Sequence, residues 1–124
     1  MSIRVLVADD SSTMRKIISR TLNALEIKDI VEAENGEQAL SLFSPDSFDL
    51  VLTDWNMPGK TGLEVVKGIR ETDKTTPIIM VTTEAEKARV IEAIQAGIND
   101  YLVKPFDKDD LQKKVEKHCP ALAQ

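Results

Sequence analysis

The side chains of this sequence that could do chemistry are carboxylates, hydroxyls and lysines, and they stand at the ends of short apolar runs. Asp9-Asp10 follows a run over residues 3–8, Asp54 follows one over 50–53, Thr82 one over 78–81, and Lys104 one over 101–103. Each has an ordinary reading when taken singly. An aspartate at a strand end commonly caps a turn or helix, a threonine there is a loop hydroxyl, and a lone lysine is solvated. The joint occurrence carries the information. Other chemistries are short of parts: the single histidine, His118, leaves no Ser-His-Asp triad or multi-histidine metal site, and the single cysteine, Cys119, has no internal disulfide partner.

The elements that must position these residues are legible as an alternation. The apolar runs over 3–8, 30–33, 50–53, 78–81 and 101–103 are short and mostly Val-, Ile- and Leu-rich, as suits strands buried on both faces. Between them lie helical patterns. Met14, Ile17, Ile18, Leu22 and Leu25 share one face, with Ser11 or Ser12 as N-cap. Ala39, Leu40 and Phe43 make a weaker stripe. Thr61 and Glu64 form a capping-box pattern before Leu63, Val66 and Ile69. Thr83 and Glu86 repeat it before Val90, Ile91 and Ile94, and Asp107 caps a last helix facing inward through Leu111 and Val115. Five strand–helix repeats predict an α/β fold: three layers, with a five-stranded parallel sheet covered on both faces. In such sheets the ligand site lies beyond the carboxyl ends of the strands, where the strand order reverses.

Gathering those carboxylates has an energetic consequence. Two of them about 4 Å apart repel by roughly 4 kcal/mol at an effective dielectric of about 20. Three tolerate one another only by sharing a cation or taking up protons. Few ligands are on offer and all are oxygens, which suits a hard ion that keeps several waters: Mg²⁺ rather than Ca²⁺. Lys104 and Thr82 then remain as a positive charge and a hydrogen-bond donor, the equipment that receives a phosphoryl group. Asp54 is the candidate nucleophile, and its product would be an acyl phosphate. A strand order of two-one-three-four-five would centre it between the aspartate pair and the lysine.

Four separated motifs, Val7-Ala8-Asp9-Asp10-Ser11, Thr53-Asp54-Trp55-Asn56-Met57-Pro58-Gly59, Val81-Thr82 and Val103-Lys104-Pro105-Phe106, resemble those of response-regulator receiver domains, in the same order and across the whole chain. The 54–58 string, with Thr82 and Tyr101, is most similar to the stand-alone chemotaxis type. The resemblance implies the flavodoxin-like order 2-1-3-4-5 and phosphorylation of Asp54 by a histidine kinase. It implies Mg²⁺ held by Asp10, Asp54 and the backbone carbonyl of Asn56, with Asp9 acting through water. It implies that Lys104 pairs with the phosphoryl group, that Thr82 hydrogen-bonds it, and that Tyr101 then turns inward and reshapes the face of the fourth helix, fifth strand and fifth helix. A cis Lys104-Pro105 bond, and Lys114 and Lys117 near the docking surface, belong to the same expectation. Thr83 is bulkier than the small residue expected there, and Asp100 stands where glycine is common.

Residues 1–124 are therefore expected to form one receiver domain, with no output domain, acting through protein contact: a monomer in the cytoplasm. The target would be a protein such as a flagellar motor switch component, in chemotaxis or in another phosphorelay. With a formal net charge of −5 the chain lacks the basic face that nucleic acid requires, and no apolar run approaches the ~20 residues of a membrane span. No conventional enzyme activity is expected beyond self-catalysed phosphorylation and dephosphorylation. A Mg²⁺-dependent aspartyl-phosphate hydrolase is the alternative, disfavoured because Asp-x-Asp would be wanted where position 11 is serine. A flavin carrier is excluded, since Asp9-Asp10 would repel the flavin phosphate. Trp55 is expected to pack or lie exposed near the loop. Lys113, Lys114 and Lys117 are read as a solvated face, and His118 and Cys119 as tail residues without chemistry.

Overall fold

The structure is a computed structural model that describes residues 3–45 and 47–119. Five strands alternate with five helices: β1 (Arg4–Ala8), α1 (Ser12–Ala24), β2 (Asp29–Ala33), α2 (Gly36–Leu42), β3 (Leu50–Thr53), α3 (Gly62–Thr72), β4 (Ile78–Thr82), α4 (Lys87–Ala96), β5 (Asp100–Val103) and α5 (Lys108–His118). All pairings are parallel, in the order β2-β1-β3-β4-β5. The expected α/β class and strand order are both present.

Strand alternation divides the apolar residues between two cores. Val5, Val7, Leu50, Leu52, Ile79 and Val81 point to one face, where Ile18 and Leu22 of α1 and Leu111 and Val115 of α5 cover them. Leu6, Ala8, Val51, Ile78 and Met80 point to the other, under Ala39 of α2, Val66 and Ile69 of α3 and Ala93 of α4. Because both faces are covered, every residue of the central strands β3 and β4 is buried. The edge strands β2 and β5 are only partly buried, which explains why their apolar runs are the least regular.

Caps fix where four of the helices begin. Ser11 accepts from the Met14 amide and Asn35 from that of Gln38, while Thr61 and Asp107 each head a complete capping box. The fourth helix departs from expectation. Residues 83–86 form no capping box; α4 begins at Lys87, and its N-cap Glu86 makes no side-chain cap bond. The reason lies one residue earlier: the Glu84 amide donates to Thr82 Oγ1, so the hydroxyl that serves this turn is on the strand end. Nor does α4 bury Ile91 or Ile94, which are 44% and 57% exposed. It rests on the sheet through the small side chains of Ala93 and Ala96, leaving its larger apolar residues outward. On α1, Ile17 is likewise exposed while Ile18 and Leu22 are buried.

Candidate functional site

The sheet register builds the site. Ala8 of β1 pairs with Thr53 of β3, so the next residues, Asp9 and Asp54, emerge side by side at the point where strand order reverses. Backbone bonds carry the ladder one step further: the Asp9 amide donates to Ala33 and the Asp54 amide to Ala8. Thr82 of β4 pairs with Val103 of β5, which delivers Lys104 at the same rim. Lys104-Pro105 is cis.

Carboxylate oxygens of Asp9, Asp10 and Asp54 lie within 4.8 Å of one another. Asp9 and Asp54 are buried, at 1% and 7% exposure, whereas Asp10 is open to solvent. The ammonium of Lys104 sits between the buried pair, 2.7 Å from Asp9 Oδ2 and 3.0 Å from Asp54 Oδ2. Lys104 thus supplies a cation shared by the two buried carboxylates, a role additional to the one expected for it.

Hydrogen bonds occupy the remaining oxygens. Asp9 Oδ1 accepts from the Ser11 amide at 2.9 Å, and Asp54 Oδ1 accepts from the Trp55 amide at 2.6 Å. Burial is the largest influence on Asp9 and holds its carboxyl above the usual range, against the opposing Lys104 and Ser11 bonds. Burial works the other way on Lys104. There the bonds from Asp9 and Asp54, with their charges, outweigh it and hold the ammonium above its usual value.

The other expected residues fall close by. Thr82 is fully buried, its hydroxyl engaged with the Glu84 amide. Tyr101 is half-buried on β5 and its hydroxyl donates to the Glu84 carbonyl, so Thr82 and Tyr101 both hold residue 84. Asn56 is exposed in the loop after Asp54. Trp55 is buried at 4% exposure, which settles its two expectations in favour of packing.

Three supports were not anticipated. Arg15 donates from Nη1 to the Asp9 carbonyl at 2.6 Å and from Nε to Glu32 at 2.9 Å, tying the first acidic loop to β2. Thr53 Oγ1 donates to the Asp54 carbonyl. Gly62, at the start of α3, approaches that carbonyl so closely that a Cβ would lie 1.9 Å from it. Gly62→Ala should therefore displace the Asp54 backbone and cost about 1–3 kcal/mol, read as a lower urea midpoint. An unchanged midpoint would contradict this close packing.

The reading of His118 and Lys114 as bystanders needs correction. Asp100, where glycine is common in the resemblance, gathers Lys114 at 2.8 Å, His118 at 2.9 Å and Lys117 at 3.7 Å. Burial opposes ionisation of Asp100, yet the bonds from Lys114, His118 and the Tyr101 amide prevail and bring its pKa down to about 2. Cys119 is buried, and burial pushes its thiol up to about 11, which leaves it unreactive.

An open parallel sheet with three aspartates and a lysine at its switch point defines a class of α/β domains whose site lies at the carboxyl ends of the strands. Comparison with known proteins narrows the class. Residues 5–116 match the response regulator receiver domain family. The chain is 50% identical over 117 residues to a chemotaxis protein CheY homolog of Campylobacter jejuni, covering 92% of this chain and 90% of that protein. It is 44% identical over 117 residues to the chemotaxis protein CheY of Pseudomonas aeruginosa, with 93% and 94% covered. The solved chemotaxis response regulator CheY4 of Vibrio cholerae superposes with a TM-score of 0.87 at 35% identity, over 95% of this chain and 99% of that one. The chain belongs to the response regulator receiver domain family and is homologous to chemotaxis regulators of the CheY type. Among the described residues, no helix is long and apolar enough to cross a membrane.

Proposed function

We propose that the chain is a two-component phospho-acceptor in which Asp54 takes a phosphoryl group from a phosphohistidine on a partner kinase. One observation carries the reading: the buried Asp54 carboxylate, bridged by Lys104 to Asp9, shares a 4.8 Å cluster with Asp9 and Asp10 at the switch point of the sheet. An Asp54 oxygen attacks phosphorus; the new O–P bond replaces the P–N bond, and the departing imidazole keeps the electron pair and takes up a proton.

The donor set fits Mg²⁺. It offers oxygens only, and the exposed Asp10 leaves room for coordinated water. Asp10, Asp54 and the Asn56 backbone carbonyl would hold the ion, with Asp9 acting through water. When bound, Mg²⁺ supplies the positive charge that lets an anionic phosphoryl group approach an anionic nucleophile. Lys104 then exchanges its carboxylate partners for a phosphoryl oxygen, and Thr82 turns its hydroxyl from the Glu84 amide to donate to another. Release of Glu84 removes the carbonyl that Tyr101 holds, which frees the ring to move inward and alters the face of α4, β5 and α5. Output is by protein contact on that face, with a target such as a flagellar motor switch protein in chemotaxis.

Trp55 is the only tryptophan and its amide bonds Asp54, so its fluorescence reports the site. Mg²⁺ should change the emission of the wild-type chain in a saturable way and leave Asp10→Ala flat. A flat wild-type titration would remove the metal from this site.

A further inference from the structure

We infer that Arg89 is a positioning residue: stacked on Trp55, it clamps the first turn of α4 to the residue whose amide holds Asp54. The guanidinium carbon lies 5.4 Å from the centroid of the Trp55 ring, within the range of a cation–π contact. The helix start itself does not favour a cation. Arg89 is in the first turn of α4, at the positive end of the helix dipole, beside Lys87 and with no acidic residue in that turn. Its other ionic contact, Glu92 at 3.8 Å, is half-exposed and on the same helix, so it cannot anchor the helix to anything. Among the described helices α4 alone has no side-chain cap bond, so no cap of its own holds its first turn.

The clamp adds a side-chain contact between the loop after β3 and the first turn of α4. Trp55 donates its amide to Asp54 Oδ1, while Lys104 occupies Oδ2, so any group added to Asp54 must disturb one of these bonds. As Lys104 leaves Oδ2 for the phosphoryl group, the carboxylate re-seats, and a shift at Oδ1 reaches the Trp55 backbone, then its ring, then Arg89 and α4. The helix so released carries the exposed Ile91 and Ile94. This inference rests on the phospho-acceptor reading of Asp54 for what triggers release; the resting clamp itself does not.

Hydrogen exchange of the amides of residues 89 and 90, which both donate to the Glu86 carbonyl, measures opening of this turn. In the unmodified full-length chain, Arg89→Gln should speed their exchange about two- to fivefold, and Arg89→Lys should stay near wild type. Removing a cation from a helix N-terminus would by itself slow exchange. Glu92→Gln, which breaks the Arg89–Glu92 pair but leaves the stack, should stay near wild type. A Glu92→Gln rise equal to that of Arg89→Gln would overturn the clamp. With Mg²⁺ and beryllofluoride as the phosphoryl mimic, wild type and Arg89→Lys should show faster exchange, and Arg89→Gln little further change. Unchanged or slower resting exchange in Arg89→Gln would overturn the clamp, as would a mimic response as large as that of wild type. If the resting difference appears but the wild-type chain ignores the mimic, the clamp is upheld and the phospho-acceptor reading fails.

Discussion

Lys104→Ala is expected to destabilise the fold by about 3–5 kcal/mol near pH 7, because it leaves two buried carboxylates without their shared cation. The loss should depend on pH, with a sign fixed by the groups involved. Asp9 has a raised folded pKa, so its ionisation costs stability above that value, and the cost disappears as pH falls toward the unfolded value of about 3.9. Removing Lys104 deletes two influences that lower Asp9, so the folded pKa climbs further and acid rescues the variant over a wider range. The ammonium of Lys104 is also raised when folded; its contribution is complete below about 10.4 and is lost as pH rises through the folded value. Urea midpoints should therefore separate wild type from variant most at neutral pH and least near pH 4. A gap below about 1 kcal/mol at pH 7, or one independent of pH between 4 and 7, would contradict the shared-cation account.

The same variant separates metal binding from switching. Lys104→Ala keeps all three carboxylates, so the Trp55 response to Mg²⁺ should persist. It lacks the charge that meets the phosphoryl group, so phosphorylation should not strengthen target binding. Undiminished target binding would show that Lys104 serves the resting structure alone.

How much of this was legible in the residues differs from element to element. The central strands were plain, because burial on both faces demands unbroken apolar runs, and residues 50–53 and 78–81 have them. The site rim followed from those strands: once the runs are parallel, the residues just beyond Ala8, Thr53, Val81 and Val103 must share an edge. The α4 region was misread because Thr83 and Glu86 match a capping pattern by type, while the Thr82 hydroxyl already holds the turn. Helical periodicity also could not tell that Ala93, outside the stripe of Val90, Ile91 and Ile94, faces the sheet while Ile91 and Ile94 are exposed. Arg15 and Asp100 carry no local signal at all. Their partners are fixed by tertiary contact, with Arg15 reaching Glu32 and Asp100 reaching Lys114 and His118 across the fold. Lys104 was legible as a participant, but its resting partners, Asp9 and Asp54, lie 95 and 50 positions away.

Asp54 is central, and replacing one of its oxygens with an amide tests it with the least other change. Asp54→Asn keeps the shape of the side chain and an oxygen able to accept from the Trp55 amide, but the amide is no nucleophile toward phosphorus. Among the described residues, no other carboxylate combines burial at this rim with contact to Lys104 except Asp9, whose Oδ1 is held by the Ser11 amide. Intact mass after incubation with acetyl phosphate and Mg²⁺ should show one added phosphoryl group on the wild-type chain and none on Asp54→Asn. Equal labelling of the two proteins would place the acceptor elsewhere and contradict the account.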